Sequence, residues 1–163
     1  MFSGEYQLGV DFAIERNDQF LEGNPGSALG LVDLVSRGVP LYEAAQKRKK
    51  KRYVNASNRV RKTCASWIKN GACSVLHHGF LLDAEKAVLN GKLDDAKTLY
   101  KKGIVFASRA GFIQDMALLN DRYSSFLFSR QMNKEEAKYH FDKAIVFYLE
   151  WGAKSHVHLR NAV

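Results

Sequence analysis

An internal repeat with a period of 41 residues constrains the fold of this 163-residue chain more than any other feature of its sequence. Both copies follow the pattern Ala-x3-aromatic-x2-small-x2-Phe-x4-Gly. The first copy contains Ala96, Tyr100, Gly103, Phe106 and Gly111, and the second contains Ala137, Phe141, Ala144, Phe147 and Gly152. A repeat of this kind is typical of helical hairpins that stack because a single hairpin cannot bury its own apolar face.

Each position of the pattern has a structural reason. The small residues let a neighbouring helix approach closely, and the aromatic residues fill the space between successive hairpins. The glycine permits the left-handed turn that ends a helix. We therefore expect an all-α fold of stacked helical hairpins.

The segments outside the repeat agree with this fold. Prolines occur only at positions 25 and 40, so every later segment is free to form helix. We expect a short helix ending at Gly38, and then a helix that starts at Pro40 and stops at Asn70, with room for a break between Tyr53 and Asn55. Further helices should end at Gly91, at Gly111, near Met132 and at Gly152, and a last one should cover 153–163.

The N-terminal residues 1–39 fit two patterns. Tyr6, Leu8, Val10 and Phe12 alternate as in a strand, whereas Val10, Ile14 and Leu21 follow helical spacing. We favour helix, with a loop at 22–27. The domain organisation that we predict is an N-terminal helical segment over 1–39 and a repeat region over 40–163.

Two features around residue 90 and the first repeat copy resemble the tetratricopeptide pattern. Ala84 and Gly91 stand near its small and turn positions, and Ala96, Tyr100 and Gly103 match its second helix. The usual tetratricopeptide period is about 34 residues. The chain therefore resembles a tetratricopeptide-like relative, an α-α superhelix, rather than a standard member.

Residues 55–160 are also similar to the helical region that follows the ATPase module of large STAND/AAA-type signalling proteins. The shared motifs are "AE" at Ala84, "GF" at Gly111, "AL" at Ala117 and "WGAK" from Trp151. The resemblance implies a helical connector between an ATPase switch and a kinase, sensor or cyclase module. The sequence contains no GxxxxGK[ST] loop and no kinase motif, so neither activity is carried over.

The sequence gives little indication of catalysis or of metal binding. His77–His78 and the pair His156 and His158 point to different sides of a helix, whereas zinc needs ligands that converge. Cys64 and Cys73 fit no metal or redox spacing, and Cys64 lies on an apolar stripe where a small buried residue is expected. We expect a protein that is not an enzyme and that uses no cofactor and no metal.

Three side chains of the second copy carry structural expectations. Asn133 should cap a helix, with Glu136 as its capping-box partner. His140 should form a surface pair with Glu136. Trp151 should pack in the core against the helix that follows it.

The run "KRKKKR" supplies most of the net charge, which is +8 with it and +2 without it. It consists of Lys47, Arg48, Lys49, Lys50, Lys51 and Arg52. Six consecutive cations wrap more than one helical turn, so the run should form either a projecting helix or a frayed joint. It is either a solvated helix face or a contact for a polyanion or a nuclear-import receptor, joined by Arg59, Arg61 and Lys62.

The function that we expect is a non-catalytic module that binds a protein partner or connects signalling modules. Its ligand contacts should come from exposed polar residues, namely Asp83, Lys86, Asn120 and Arg122. The alternative is a nuclear or nucleic-acid-associated accessory protein that uses 47–52. We expect no membrane association and a cytoplasmic location, or a nuclear one if 47–52 act as an import signal.

Overall fold

The computed structural model describes residues 28–153 together with residues 10, 11 and 14. Its helices are α1 (Ala28–Arg48), α2 (Lys51–Lys69), α3 (Leu76–Leu89), α4 (Leu93–Ala110), α5 (Ile113–Ser129) and α6 (Lys134–Trp151), with a short 3₁₀ turn at Cys73–Val75. The described residues contain no strand, which confirms the all-α class. Residues 10, 11 and 14 are helical, and the last predicted helix falls outside the described residues from 154 on. None of the described helices is both long and apolar enough to cross a membrane.

The chain divides after Ala96 into two compact units. In the first unit α1, α2 and α3 pack together around Leu34, Tyr42, Tyr53, Val60 and Leu82, all of which are fully buried. Helix α4 begins four residues before the division and continues as the first helix of the second unit.

The boundary between α1 and α2 differs from the prediction. Helix α1 passes through Gly38 and Pro40 and ends at Arg48, and the break falls at Lys49–Lys50. A Cβ atom on Gly38 would lie 2.6 Å from the Leu82 side chain, so this glycine admits α3 to the surface of α1 and does not end the helix. The predicted domain boundary at residue 40 stays a prediction, although α1 runs through that position.

In the second unit α5 and α6 form a helical hairpin whose core contains Ala117, Ala144 and Tyr148. The α4 portion contributes Tyr100, whose ring centroid lies 5.4 Å from that of Tyr123 and 5.6 Å from that of Phe126. Aromatic pairs at these distances are favourable beyond the area they bury.

The 41-residue period is visible in the backbone. Helices α4 and α6 both start and end 41 residues apart. Gly111 and Gly152 follow them with φ of 72° and 87°. The turn hydrogen bonds also correspond: Gly111 N to Ser108 O at 3.2 Å, Phe112 N to Ala107 O at 3.2 Å, Gly152 N to Leu149 O at 3.0 Å and Ala153 N to Tyr148 O at 2.9 Å. The two helices therefore end in the same turn, in which a left-handed residue satisfies the last carbonyls.

The repeat positions differ in how far they are buried. Ala84, Ala96, Gly103, Ala137 and Ala144 are buried. Tyr100 is 1% exposed, whereas its counterpart Phe141 is only half-buried. The prediction that Trp151 is a core residue is wrong, since its side chain is 50% exposed at the end of α6.

Candidate functional site

Helix α6 carries an apolar face that no other described helix covers. We call Phe141, Ile145 and Leu149 the α6 face, because they recur every four residues on one side of the helix. Phe141 and Ile145 are half-buried, and Leu149 is 48% exposed. Large apolar residues that gather on one side of a helix mark an interaction surface more often than scattered ones do.

The repeat shows what such a face packs against. Tyr100 on α4 corresponds to Phe141 on α6, and Tyr100 is covered by Tyr123 and Phe126 of α5. Among the described residues no helix follows α6, so Phe141 remains half-exposed. The α6 face is therefore the equivalent of a surface that, one repeat earlier, is occupied by a helix.

A second apolar feature lies at the end of the same helix. Trp151 and residues 111–115 line an open depression of about 320 Å³. Phe112, 40% exposed, provides the other ring of this depression. The depression and the α6 face lie on different sides of α6, so we treat the face alone as the candidate site.

A polar network holds α6 in place. The Glu136 carboxylate accepts a hydrogen bond from the Tyr123 hydroxyl at 2.8 Å and forms ion pairs with Lys97 at 3.0 Å and Lys101 at 2.8 Å. Burial alone would raise the pKa of Glu136, but the hydrogen bonds from Lys101, Lys97 and Tyr123 outweigh it and lower that pKa from 4.5 to about 2. The charged carboxylate thus ties α6 to both α4 and α5.

His140 extends this network. Its Nδ1 atom lies 2.7 Å from Asn120 Oδ1, and its ring meets the Tyr123 ring edge-on at 4.6 Å. Burial lowers the pKa of His140 from 6.5, which keeps the ring neutral beside its partners. The first half of α6 is therefore a fixed platform for the apolar face in its second half.

The structure corrects several sequence predictions here. Asn133 does cap α6, accepting a hydrogen bond from the Glu136 N–H at 3.0 Å. The Glu136 side chain is not the capping-box partner, because its carboxylate faces Lys97, Lys101 and Tyr123. The prediction of a surface pair for His140 is also wrong, since that ring packs on Tyr123.

The predicted polar ligand contacts are not brought together as an exposed set. Asn120 is 3% exposed and donates to the Met116 carbonyl at 2.7 Å, so it is a buried structural residue. Asp83 forms an ion pair with Arg61 and is only partly exposed. Lys86 and Arg122 are half-buried. Sequence reasoning missed the α6 face because Phe141 was assigned to the core with the other repeat positions.

The basic run is a bend between two helices rather than one helix. Lys49 has a φ of 52° and donates its N–H to the Ala45 carbonyl at 2.9 Å, which closes α1. Lys50 is extended and caps α2 without a side-chain hydrogen bond. Lys47 pairs with Glu43 at 2.6 Å, and Arg52 pairs with Asp11 at 2.9 Å.

The groups considered for catalysis lie inside the helices. Burial raises the pKa of the Cys64 thiol to about 12, with a smaller contribution from Asp83, so Cys64 stays protonated and behaves as a small buried side chain. His77 and His78 are buried in α3 with ring centroids 4.0 Å apart.

Comparisons with protein-family models, with curated proteins and with solved structures find no match for this chain. The assignment of a site therefore depends on the geometry of its own residues.

Proposed function

We propose that this chain is a tetratricopeptide-like helical-repeat module that works by binding rather than by catalysis, and that the α6 face receives an amphipathic helix of a protein partner. The observation that carries the proposal is the correspondence between α4 and α6. The two helices match in length, in their final turn and in the placement of Tyr100 and Phe141. One of these equivalent positions is covered by a helix and the other is not.

The helix that covers α4 indicates the chemistry of the partner. Helix α5 presents Tyr123 and Phe126, three residues apart, to Tyr100. A helix that lies along α6 should likewise present bulky apolar residues at spacings of three and four to Phe141, Ile145 and Leu149. The partner that fits is an amphipathic helix with an aromatic stripe.

The resemblance to the helical region of STAND/AAA-type signalling proteins supports a connecting role. In such a role the partner helix belongs to a neighbouring signalling module. Stacked hairpins suit this purpose because each repeat offers the next element a surface of the same shape.

A peptide with the sequence of α5, residues 113–129, provides a defined probe. It should be held helical by a side-chain staple, because an isolated helix of this length is marginal in water. We expect the labelled peptide to bind the full chain and to shift the amide resonances of Phe141, Ile145 and Leu149. A control peptide with Tyr123→Ala and Phe126→Ala should not bind.

Matched variants of the protein locate the binding surface. Leu149→Asp should weaken binding of the peptide by at least tenfold, because it places a charge against an apolar contact worth about 2 kcal/mol. Val105→Asp is the control, since Val105 is exposed to 46% against 48% for Leu149 but lies on α4. Circular dichroism checks that both variants keep their helix content.

Two outcomes would overturn the proposal. The first is a wild-type chain that does not bind the stapled peptide, or an equal loss of binding in Val105→Asp and Leu149→Asp. The second is concentration-dependent dimerisation of the wild type that Leu149→Asp abolishes. In that case the α6 face joins two copies of this chain and is not a site for a separate partner.

A further inference from the structure

Four consecutive cations meet at the bend between α1 and α2. We call Arg48, Lys49, Lys50 and Lys51 the basic joint. All four are exposed, and none of them forms an ion pair with a carboxylate of the described residues. The neighbours on either side differ, because Lys47 and Arg52 are paired with Glu43 and Asp11. The basic joint is thus a concentrated positive charge that the first unit does not neutralise.

The local structure around the basic joint favours other residues than lysine. Lys49 occupies a left-handed position at the end of α1, where glycine or asparagine is preferred. Lys50 occupies the capping position of α2, where Ser, Thr, Asp or Asn would accept a backbone hydrogen bond. The first turn of α2 contains no acidic residue, although the positive end of the helix dipole lies there. Since the fold does not explain these cations, an anionic ligand does so better.

We propose that the basic joint binds the phosphate backbone of a nucleic-acid duplex without reading its sequence. Binding of single strands uses exposed aromatic rings on which bases stack. The aromatic residue next to the joint, Tyr53, is fully buried, and its hydroxyl accepts a hydrogen bond from Arg52 at 2.5 Å. What the joint offers is charge together with the uncapped start of α2, a combination that suits phosphates and not base edges.

The test is a titration of the full chain into a fluorescently labelled duplex of about 20 base pairs. Four phosphate contacts predict a loss of roughly 100-fold in affinity between about 50 and 200 mM salt. Two duplexes of unrelated sequence should bind equally. A strong preference for one of them would contradict readout of the backbone alone.

The decisive variant combines Lys49→Ala, Lys50→Ala and Lys51→Ala. It should reduce affinity for the duplex at low salt by at least tenfold and leave only a few-fold dependence on salt, because about three of four phosphate contacts are lost. The matched control combines Lys62→Ala, Lys69→Ala and Lys92→Ala, which removes the same charge from exposed positions outside the joint. This control should keep most of the affinity and of the salt dependence.

The proposal is wrong if the joint variant binds the duplex as well as the wild type does, or if the control loses as much affinity as the joint variant. It is also wrong if vesicles with one quarter phosphatidylserine bind the wild type and the duplex does not, since the ligand is then a membrane surface. The joint variant should bind the stapled α5 peptide normally. Failure of this proposal is therefore distinguishable from failure of the proposed function.

Discussion

Glu136 lies where the three helices of the second unit meet, and its carboxylate is shared by Lys97, Lys101 and Tyr123. Lys97 and Lys101 stand one turn apart on α4, where two like charges would repel each other without an acid between them. The spacing of these lysines was a signal in the sequence for an acidic partner on another helix. It could not identify the partner, because Glu136 also fitted a capping box on its own helix.

This network predicts that the second unit loses stability in acid. The folded pKa of Glu136, about 2, lies below its ordinary value of 4.5, so its contribution is complete above pH 4.5 and is lost as the pH falls towards 2. His140 also has a lowered pKa, so the unfolded chain binds its proton first and stability starts to fall below about pH 6.5. Urea unfolding at a series of pH values, followed by Trp151 fluorescence in a Trp67→Phe background, measures both effects.

Two variants separate these contributions. Glu136→Gln should reduce the free energy of unfolding of the second unit by about 2 kcal/mol at pH 7 and flatten its pH dependence between 4.5 and 2. His140→Gln should flatten only the part that begins near pH 6.5. An unchanged pH profile in Glu136→Gln would show that its hydrogen bonds contribute nothing to stability.

A third prediction at this scale concerns the capping position of α2. Lys50→Ser should raise the free energy of unfolding of the first unit by about 1 kcal/mol, because serine caps a helix and lysine does not. Trp67 fluorescence in a Trp151→Phe background reports the unfolding. Lys62→Ser, in the middle of the same helix, is the control and should be neutral or slightly destabilising. No gain in Lys50→Ser would mean that Lys50 already satisfies the helix start in another way.

At the scale of the element, glycines define where the repeat helices end. Gly111 and Gly152 both have positive φ, and a Cβ atom at either position would meet no other atom within 4 Å. Gly111→Ala and Gly152→Ala should therefore each cost about 1 kcal/mol through the backbone alone. Asparagine tolerates the left-handed region better, so Gly→Asn at the same positions should cost less. A large difference between the two sites in urea unfolding would contradict the equivalence of the turns.

The same element scale shows which boundaries the sequence could predict. The ends of α3, α4 and α6 agree with the glycines at 91, 111 and 152, because nothing else approaches those positions. Gly38 failed as a stop signal, since it is needed for the approach of Leu82 from α3. A glycine that ends a helix and one that makes room for a neighbour look alike until the packing is known.

At the scale of the whole molecule, the sequence was sufficient for the fold class and the period but not for the division into units. The division after Ala96 falls inside the continuous helix α4, where neither composition nor punctuation changes. The sequence also predicted the basic run as a solvated segment. It could not show that Lys47 and Arg52 are paired, because Arg52 meets Asp11, 41 residues away in the chain.

The two proposed surfaces should respond differently to salt. Binding to a duplex through the basic joint should weaken steeply as salt rises, because it depends on release of counterions. Binding of the stapled peptide to the α6 face should persist, since burial of apolar area is not screened. Titrations of both ligands at two salt concentrations, with Leu149→Asp and the joint variant, check this. Parallel salt sensitivity of both ligands would show that one surface serves them both.

The matching turns after α4 and α6 make the molecule extensible by design. A tandem duplication of residues 112–152, inserted directly after Gly152, would leave the graft point in the geometry that the backbone already adopts at Gly111. The added copy of α5 would then seal Phe141 and Leu149 from solvent, and an engineered series of increasing length would gain cooperativity with each module.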